Sequence, residues 1–474
     1  MVGGTLPEPT PNRLQGLVGA CSATSRYHAR VPALRPFRAL RYAAAIGPDL
    51  SAVVCPPYDI IPPALGVALR QRDDHNAVRI ELPDPEPDGV SATRYRVAAR
   101  TLAEWRTAGI LVKDRQPAVY IHEMTWGSSR GRTAGRARGV FVRLKLEQFG
   151  PDSGVRAHER TMTGPKEDRY QLLKATGVNL SPVILLRDAA PGAVTNLLDG
   201  LTTGEPDVGA TTDDGVSHRM WICPASTDDS GASAGDVAAL LEVLGSGPLT
   251  IADGHHRYET TLRYQSERGR NRACESDPAW DYAMALVYDV SEASPVLPTH
   301  RVLVSGLAGA ALIDALAGLV DVELMADADA VLAAMSQRVA LPDADATGTG
   351  RIGLVSGGVA AILRVRAEAF DPLQDPSSSA ASRGLDVNRL ALMLERLGVD
   401  DVALAAGGRV VYVKDAAEAV AQTTRGEGVA TFLLDGPPVT AVTRVAAATE
   451  VMPQKSTFFD PKAPTGLVFG PLEW

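Results

Sequence analysis

The chain has 474 residues, of which 45% are hydrophobic and 22% charged, and its formal net charge is −9. That length carries two or three domains of ordinary size and buries enough apolar surface to fold without disulfides or bound metal. The acidic balance excludes a broad electrostatic grip on nucleic acid or an anionic membrane, so neither is expected as a partner and any anion must be held by a local cluster.

Four cysteines occur, Cys21, Cys55, Cys223 and Cys274, with no C-x-x-C spacing. This pattern excludes a disulfide framework or zinc ribbon and suits a reducing compartment. Cys21 ends the string Leu-Val-Gly-Ala-Cys, but the residues before it are too polar for a signal core. No run of about 18 apolar residues appears, so the expected location is the cytoplasm.

In chain order, residues 1–33 are polar, rich in Pro and Gly and without period, and read as a disordered tail. Ala52–Cys55 reads as a short strand, followed by a turn at Pro56-Pro57-Tyr58-Asp59. Ala92–Thr107 is predicted helical from Tyr95, Ala98, Ala99, Leu102 and Trp105. Ala118–Glu123 and Arg138–Leu144 are predicted strands around a Gly/Ser/Arg-rich hairpin loop at 127–137. Asp168–Thr176 is a predicted helix, 188–215 reads as polar and turn-rich, and 224–235 as a loop. A helix at Asp236–Leu244 then leads into a strand at Pro248–Ala252. From about residue 302 Ala, Val and Leu dominate, and strands alternate with helices. The expected organisation is a tail over 1–33, an N-terminal α/β domain over 34–190, a central segment over 191–301, and a C-terminal α/β domain over 302–474.

The sharpest chemical signal is Asp253-Gly254-His255-His256-Arg257, which closes the buried strand Leu249–Ala252 and opens a helix. Gly254 permits a tight turn and close approach of a ligand. Free amides and the positive dipole end at a helix start attract phosphate. Arg257 offers a two-pronged partner for its oxygens, and His255 and His256 add donors. Asp253 is placed for Mg²⁺ or a ligand hydroxyl. The structural alternative is that Asp253 caps the helix and the histidines bond to neighbouring loops.

A second cluster runs from Ala157 to Arg169 and mixes His158, Glu159 and Lys166 around a Gly164-Pro165 turn. Glu159 and His158 are general-base candidates and Lys166 a phosphate contact, although such a charge run also suits a solvated face. Tyr58 with Asp59, His300 with Arg301, and Lys455 are candidates for substrate contacts in one polar pocket between domains. No H-E-x-x-H or H-x-H spacing supports a zinc site.

Seven segments resemble, in order, the bacterial and archaeal family catalogued as domain of unknown function 1015. They are Pro36–Tyr42, Pro56–Asp59, His158–Thr161, Asn179–Pro182, Ile251–Glu259, Leu297–Arg301 and Met452–Phe459. The resemblance runs from about residue 34 to the C-terminus and departs from the family pattern at Cys55 and in the forward extension. The string Gly254–Glu259 is also similar to the phosphate-binding element of sulfiredoxin, to the corresponding box of the partitioning protein ParB, and to the Asp-Gly-His element of archaeal free serine kinases. That likeness implies His256 and Arg257 as phosphate contacts. It does not extend to sulfiredoxin's cysteine, because His255 stands there.

Residues and resemblance together lead to an α/β fold of mixed sheets with helices, comprising a ParB/sulfiredoxin-like nucleotide-binding element and an Ala/Val-rich C-terminal α/β domain. The expected function is an ATP- or ADP-dependent phosphotransferase with Mg²⁺ on Asp253, acting on a small hydroxylated metabolite such as free serine. In it Arg257, His256 and Lys166 steady the transferred phosphoryl, while Glu159 or His158 accepts the hydroxyl proton. A non-catalytic nucleotide-binding regulator and a metal-dependent hydrolase built on the histidines are the alternatives.

Overall fold

The computed structural model describes residues 1, 31–84, 91–128, 133–150, 152–159, 163–226, 234–269, 277–337, 339, 341–342, 345–399, 408–453 and 456–474. Most of the expected tail therefore lies outside the described residues. At its end, Pro32 is buried and the Ala33 carbonyl accepts from Lys145 N–H at 2.9 Å, so packing begins slightly earlier than expected.

A nine-stranded mixed sheet organises the first part of the chain. Its elements are β1 (Leu34–Arg35), helix α1 (Ser91–Thr107), β2 (Ala118–Trp126), β3 (Gly135–Lys145), β4 (Val155–Ala157), α2 (Thr163–Thr176), β5 (Val183–Arg187), α3 (Ala193–Leu201), β6 (Val208–Thr211), β7 (Ser217–Pro224), α4 (Ala234–Gly245), β8 (Leu249–Asp253), α5 (His255–Gly269) and β9 (Tyr282–Asp289). The strand order is β4-β8-β5-β9-β3-β2-β7-β6, with β1 on β3. Alternation within β2 and β3 divides the core between two faces, because successive strand side chains point to opposite sides. Val119, Ile121, Val140 and Val142 pack on one face with Val194 and Leu198 of α3 and Leu240 and Leu244 of α4. Tyr120 and Phe141 pack on the other with Phe37, Val445 and Phe469, so the C-terminal residues return to close the first layer.

A six-stranded sheet follows. The residues Val296–Leu297 (β10) pair with Phe458–Phe459 at the junction, and the sheet itself holds β11 (His300–Leu303), β12 (Val320–Leu324), β13 (Arg351–Ser356), β14 (Val359–Val365), β15 (Val410–Val413) and β16 (Ala430–Leu434). Their order is β12-β14-β13-β16-β11-β15. Leu303, Leu354 and Phe432 face one apolar cluster, and Val302 and Leu433 face the other. The expected α/β class is what the molecule shows, with several sheets of which the nine-stranded one is mixed and the six-stranded one antiparallel throughout.

Two local readings change. Ala52–Cys55 is a turn that makes a single bridge from Cys55 to Thr465, because Pro56 and Pro57 have no N–H with which to extend a ladder. The 188–215 stretch contains α3 and β6. Val194, Leu198 and Leu201 form a buried helical stripe that the surrounding Asp, Gly and Thr obscure in the sequence.

Candidate functional site

The sheet register collects distant segments at one end. β4 runs parallel to β8 with Ala157 opposite Ile251, so His158 and Asp253 leave neighbouring strands on the same side. β5 runs antiparallel to β8, which places Ser181-Pro182, just before β5, at that end too. A register shift between Ile251 and Asp253 interrupts the ladder there, a device that re-aims a side chain.

Gly254 sits at φ +88°, where a side chain is strained, and a Cβ there would meet the Arg257 guanidinium at 2.9 Å. Its carbonyl accepts from Tyr258 N–H at 2.9 Å, which starts α5. The amides of His255, His256 and Arg257 precede the first intrahelical bond and carry the positive end of the helix dipole. Arg257 donates from Nη1 to the Pro182 carbonyl and from Nη2 to Asp253 Oδ2. The other Asp253 oxygen lies 3.4 Å from Lys462 Nζ, which donates to Asp59 Oδ2 at 2.8 Å. Arg257, Asp253, Lys462 and Asp59 thus form one alternating chain of charge. Burial alone would raise the Asp253 pKa, but the charges of Lys462 and Arg257 outweigh it and hold it at about 2.

Arg257, Asp253 and Lys462 of this chain border a cleft with about 500 Å³ of free space, part of it continuous with solvent. Pro57, Ser181, Tyr288 and Phe459 complete its walls. Behind it the Tyr58 ring lies 4.0 Å under the Arg169 guanidinium. Arg169 faces the buried Glu81 at 3.6 Å, and Glu81 accepts from Ser181 Oγ at 2.8 Å. These contacts fix the loop before β5 that receives Arg257.

The histidines are held rather than offered. His158 is fully buried; its Nδ1 donates to the Ile251 carbonyl, leaving Nε2, 3.0 Å from Thr457 Oγ1, to accept that hydroxyl. Burial brings its pKa to about 4, so it is neutral and has no spare lone pair for a ligand proton. The His158 amide donates to His255 Nε2 at 3.4 Å, and the rings meet edge to face at 4.8 Å. Burial, with His158 nearby, brings His255 to about 3. His256 is half-buried, with its pKa lowered by burial and then by Lys166. Lys166 pairs with Glu259 of α5 and does not line the cleft.

Of the remaining candidates, Glu159 follows His158 and is half-buried, and Lys455 lies outside the described residues. His300 and Arg301 do not join the cleft. They belong to β11, where His300 Nδ1 accepts from Leu434 N–H at 3.2 Å, because that strand is built into the second sheet. The expected single pocket is therefore two. Lys462 is the residue that sequence reasoning passed over. Its signal was the rigid string Asp460-Pro461-Lys462-Ala463-Pro464, directly after the segment already singled out.

Among the described residues no three His, Cys, Asp or Glu side chains group as metal ligands. Asp59 and Asp253 offer two hard oxygens around Lys462. That donor set fits Mg²⁺, which usually takes one or two carboxylates plus water and phosphate oxygens, better than zinc.

The sheets and the cleft define a mixed α/β protein with cations and carboxylates alternating at a helix start. The chain belongs to the family described as a protein of unknown function (DUF1015), whose model matches residues 34–388. No curated protein matches it. Among solved structures it is similar to a free serine kinase in complex with AMP, at 14% identity and a TM-score of 0.31, covering 68% of this chain and 86% of that one. A free serine kinase mutant in complex with ADP gives 13% identity, a TM-score of 0.31, and the same shares of 68% and 86%. A conserved hypothetical protein from Pyrococcus furiosus gives 14% and 0.29, covering 68% of this chain and 89% of that one. At such TM-scores these likenesses bear no weight on function. No helix among the described residues is long and apolar enough to cross a membrane.

Proposed function

We propose that this chain binds a nucleoside di- or triphosphate, ATP or ADP with Mg²⁺, and transfers a phosphoryl group to the hydroxyl of a small metabolite. The observation that carries the reading is the Arg257–Asp253–Lys462–Asp59 chain at the start of α5. Two cations beside the first turn of a helix suit phosphate oxygens, and charge spread over a transferring phosphoryl is stabilised mainly by such fixed donors. Asp253 would hold Mg²⁺, which would supply neutralisation of phosphate charge. Asp253, held at about 2 between two cations, is too weak to take a proton at neutral pH. Asp59 pairs with Lys462 and is exposed to solvent, so we assign to it the proton-accepting role expected of Glu159 or His158. The acceptor oxygen then bonds to phosphorus as its proton passes to Asp59, and the bond to the leaving phosphate breaks. His158 and His255 position the loops.

The test is a thermal-shift panel of nucleotides with and without Mg²⁺, followed by a kinase screen over hydroxylated amino acids and sugars. A nucleotide at about 100 times its Kd adds about 2.7 kcal/mol, seen as a rise of a few degrees in Tm. If no nucleoside di- or triphosphate raises Tm at millimolar concentration, the reading fails. Stabilisation by a nucleotide with no turnover of any acceptor favours the regulator over the kinase.

A further inference from the structure

The second cleft lies on the six-stranded sheet and contains Arg301, which the first cleft did not absorb. Its walls include Thr299, Arg301, Thr347, Asp386, Asp435 and Ser456, around about 340 Å³ of free space, part of it open to solvent. Arg301 is only 4% exposed. Its guanidinium donates from Nη1 to the adjacent Thr299 carbonyl and lies 4.5 Å over the Tyr412 ring. Among the described residues no carboxylate pairs with it. A buried arginine without an anion is costly, and burial lowers its pKa to about 10, with only the Tyr412 phenol opposing.

Both carboxylates in the walls are already matched. Asp435 is held by Arg351 through two bonds of 2.9 and 2.8 Å and by Thr349 Oγ1 at 2.7 Å. Asp386 accepts from the Thr349 amide at 2.7 Å and pairs with Arg389 at 3.1 Å. Their partners leave Arg301 as the uncompensated charge of the cleft. The walls also carry acceptors: Ser456 Oγ donates to the Pro453 carbonyl and Thr347 Oγ1 to that of Ala381, so their lone pairs are free to accept. Gly348 contributes by closeness, since a Cβ there would lie 2.7 Å from the Asp386 carboxylate.

We infer that this cleft binds a small carboxylate whose other end bears a hydrogen-bond donor, an ammonium or hydroxyl group, with the carboxylate on Arg301. A planar carboxylate matches the two-pronged guanidinium and neutralises the unmatched charge. The donor end faces the oxygens of Asp386, Asp435 and Ser456. A phosphate dianion suits the site worse, because two carboxylates share the walls. The free space fits a metabolite rather than a nucleotide. Nothing in this inference depends on the phosphate reading of the first cleft.

The test titrates the full chain with the proteinogenic amino acids and short hydroxy acids at millimolar concentration, with inorganic phosphate as the counter-probe, by thermal shift and calorimetry. At least one amino or hydroxy acid is expected to bind and to raise Tm. Arg301→Lys keeps the charge but loses the fork and is expected to weaken that binding about ten- to hundredfold. Should Arg301→Lys not fold, Ser456→Ala, which removes the wall hydroxyl that accepts from the donor end, is expected to weaken binding several-fold. The inference is overturned if no such acid binds, if phosphate binds more tightly than every carboxylate, or if affinity survives the substitution measured.

Discussion

Arg257 combines two jobs at one residue. Its Nη1 and Nη2 brace the Pro182 carbonyl and Asp253, and its charge faces the cleft. Arg257→Lys retains the charge but not the two-pronged geometry. It is expected to lower stability by about 1–3 kcal/mol, because Pro182 and Asp253 lose a charge-assisted partner. Nucleotide affinity is expected to fall about ten- to hundredfold. Urea unfolding and nucleotide titration of one purified variant check both numbers. A stability loss with unchanged affinity would make Arg257 a brace alone and remove it from the binding site.

The strand–turn–helix of β8 and α5 is the element on which the cleft depends. Gly254→Ala places a Cβ at φ +88° and 2.9 Å from the Arg257 guanidinium. Left-handed backbone costs a non-glycine residue about 1–2 kcal/mol, and the guanidinium must also shift. The expected result is a lowered Tm together with weakened nucleotide binding. Wild-type values for both would show that the turn relaxes without moving Arg257. The same element explains why an Asp-Gly start works: a residue with a side chain would push Arg257 from the Asp253 carboxylate that it grips.

At the scale of the whole molecule, buried histidines make stability pH-dependent. Burial lowers His158, His218 and His300 to about 4 and His255 to about 3, from 6.5. Folded chains keep these rings neutral, while the unfolded chain binds protons as pH falls below 6.5. Stability is therefore full above 6.5 and is lost progressively between 6.5 and about 4, each group steepening the slope by at most about 1.4 kcal/mol per pH unit. Asp253, lowered from 3.8 to about 2, adds a loss only below about 4. Urea midpoints from pH 7 to 4 check this, and a flat profile across that window contradicts the buried neutral rings. Truncation tests the other end of the chain. A protein starting at Val31 keeps Pro32 and β1 and is expected to melt like the full chain. One starting at Arg38 loses β1 and Phe37, which is 2% exposed and meets the Tyr120 ring at 5.1 Å. That deletion is expected to cost about 3–5 kcal/mol or more, as for removal of a buried aromatic side chain.

Local chemistry was legible in the sequence. The helical spacing of Tyr95, Ala98, Leu102 and Trp105 produced α1, and alternation around a Gly-rich loop produced the β2–β3 hairpin. The strand–Gly–helix at Asp253–Arg257 is likewise local, since apolar run, φ-permissive glycine and polar first turn all lie within about ten residues of each other. What the sequence does not contain is which segments meet. Parallel pairing of β4 with β8 brought His158 beside His255 and closed both rings against a ligand. The return of the C-terminal strap set Lys462 between Asp59 and Asp253, residues 403 and 209 positions away. The assignment of β11 to the second sheet took Arg301 to a cleft of its own. Propensity and periodicity act over a few residues, whereas these pairings are selected by sheet register and core packing across the whole chain, and only the tertiary structure decides them.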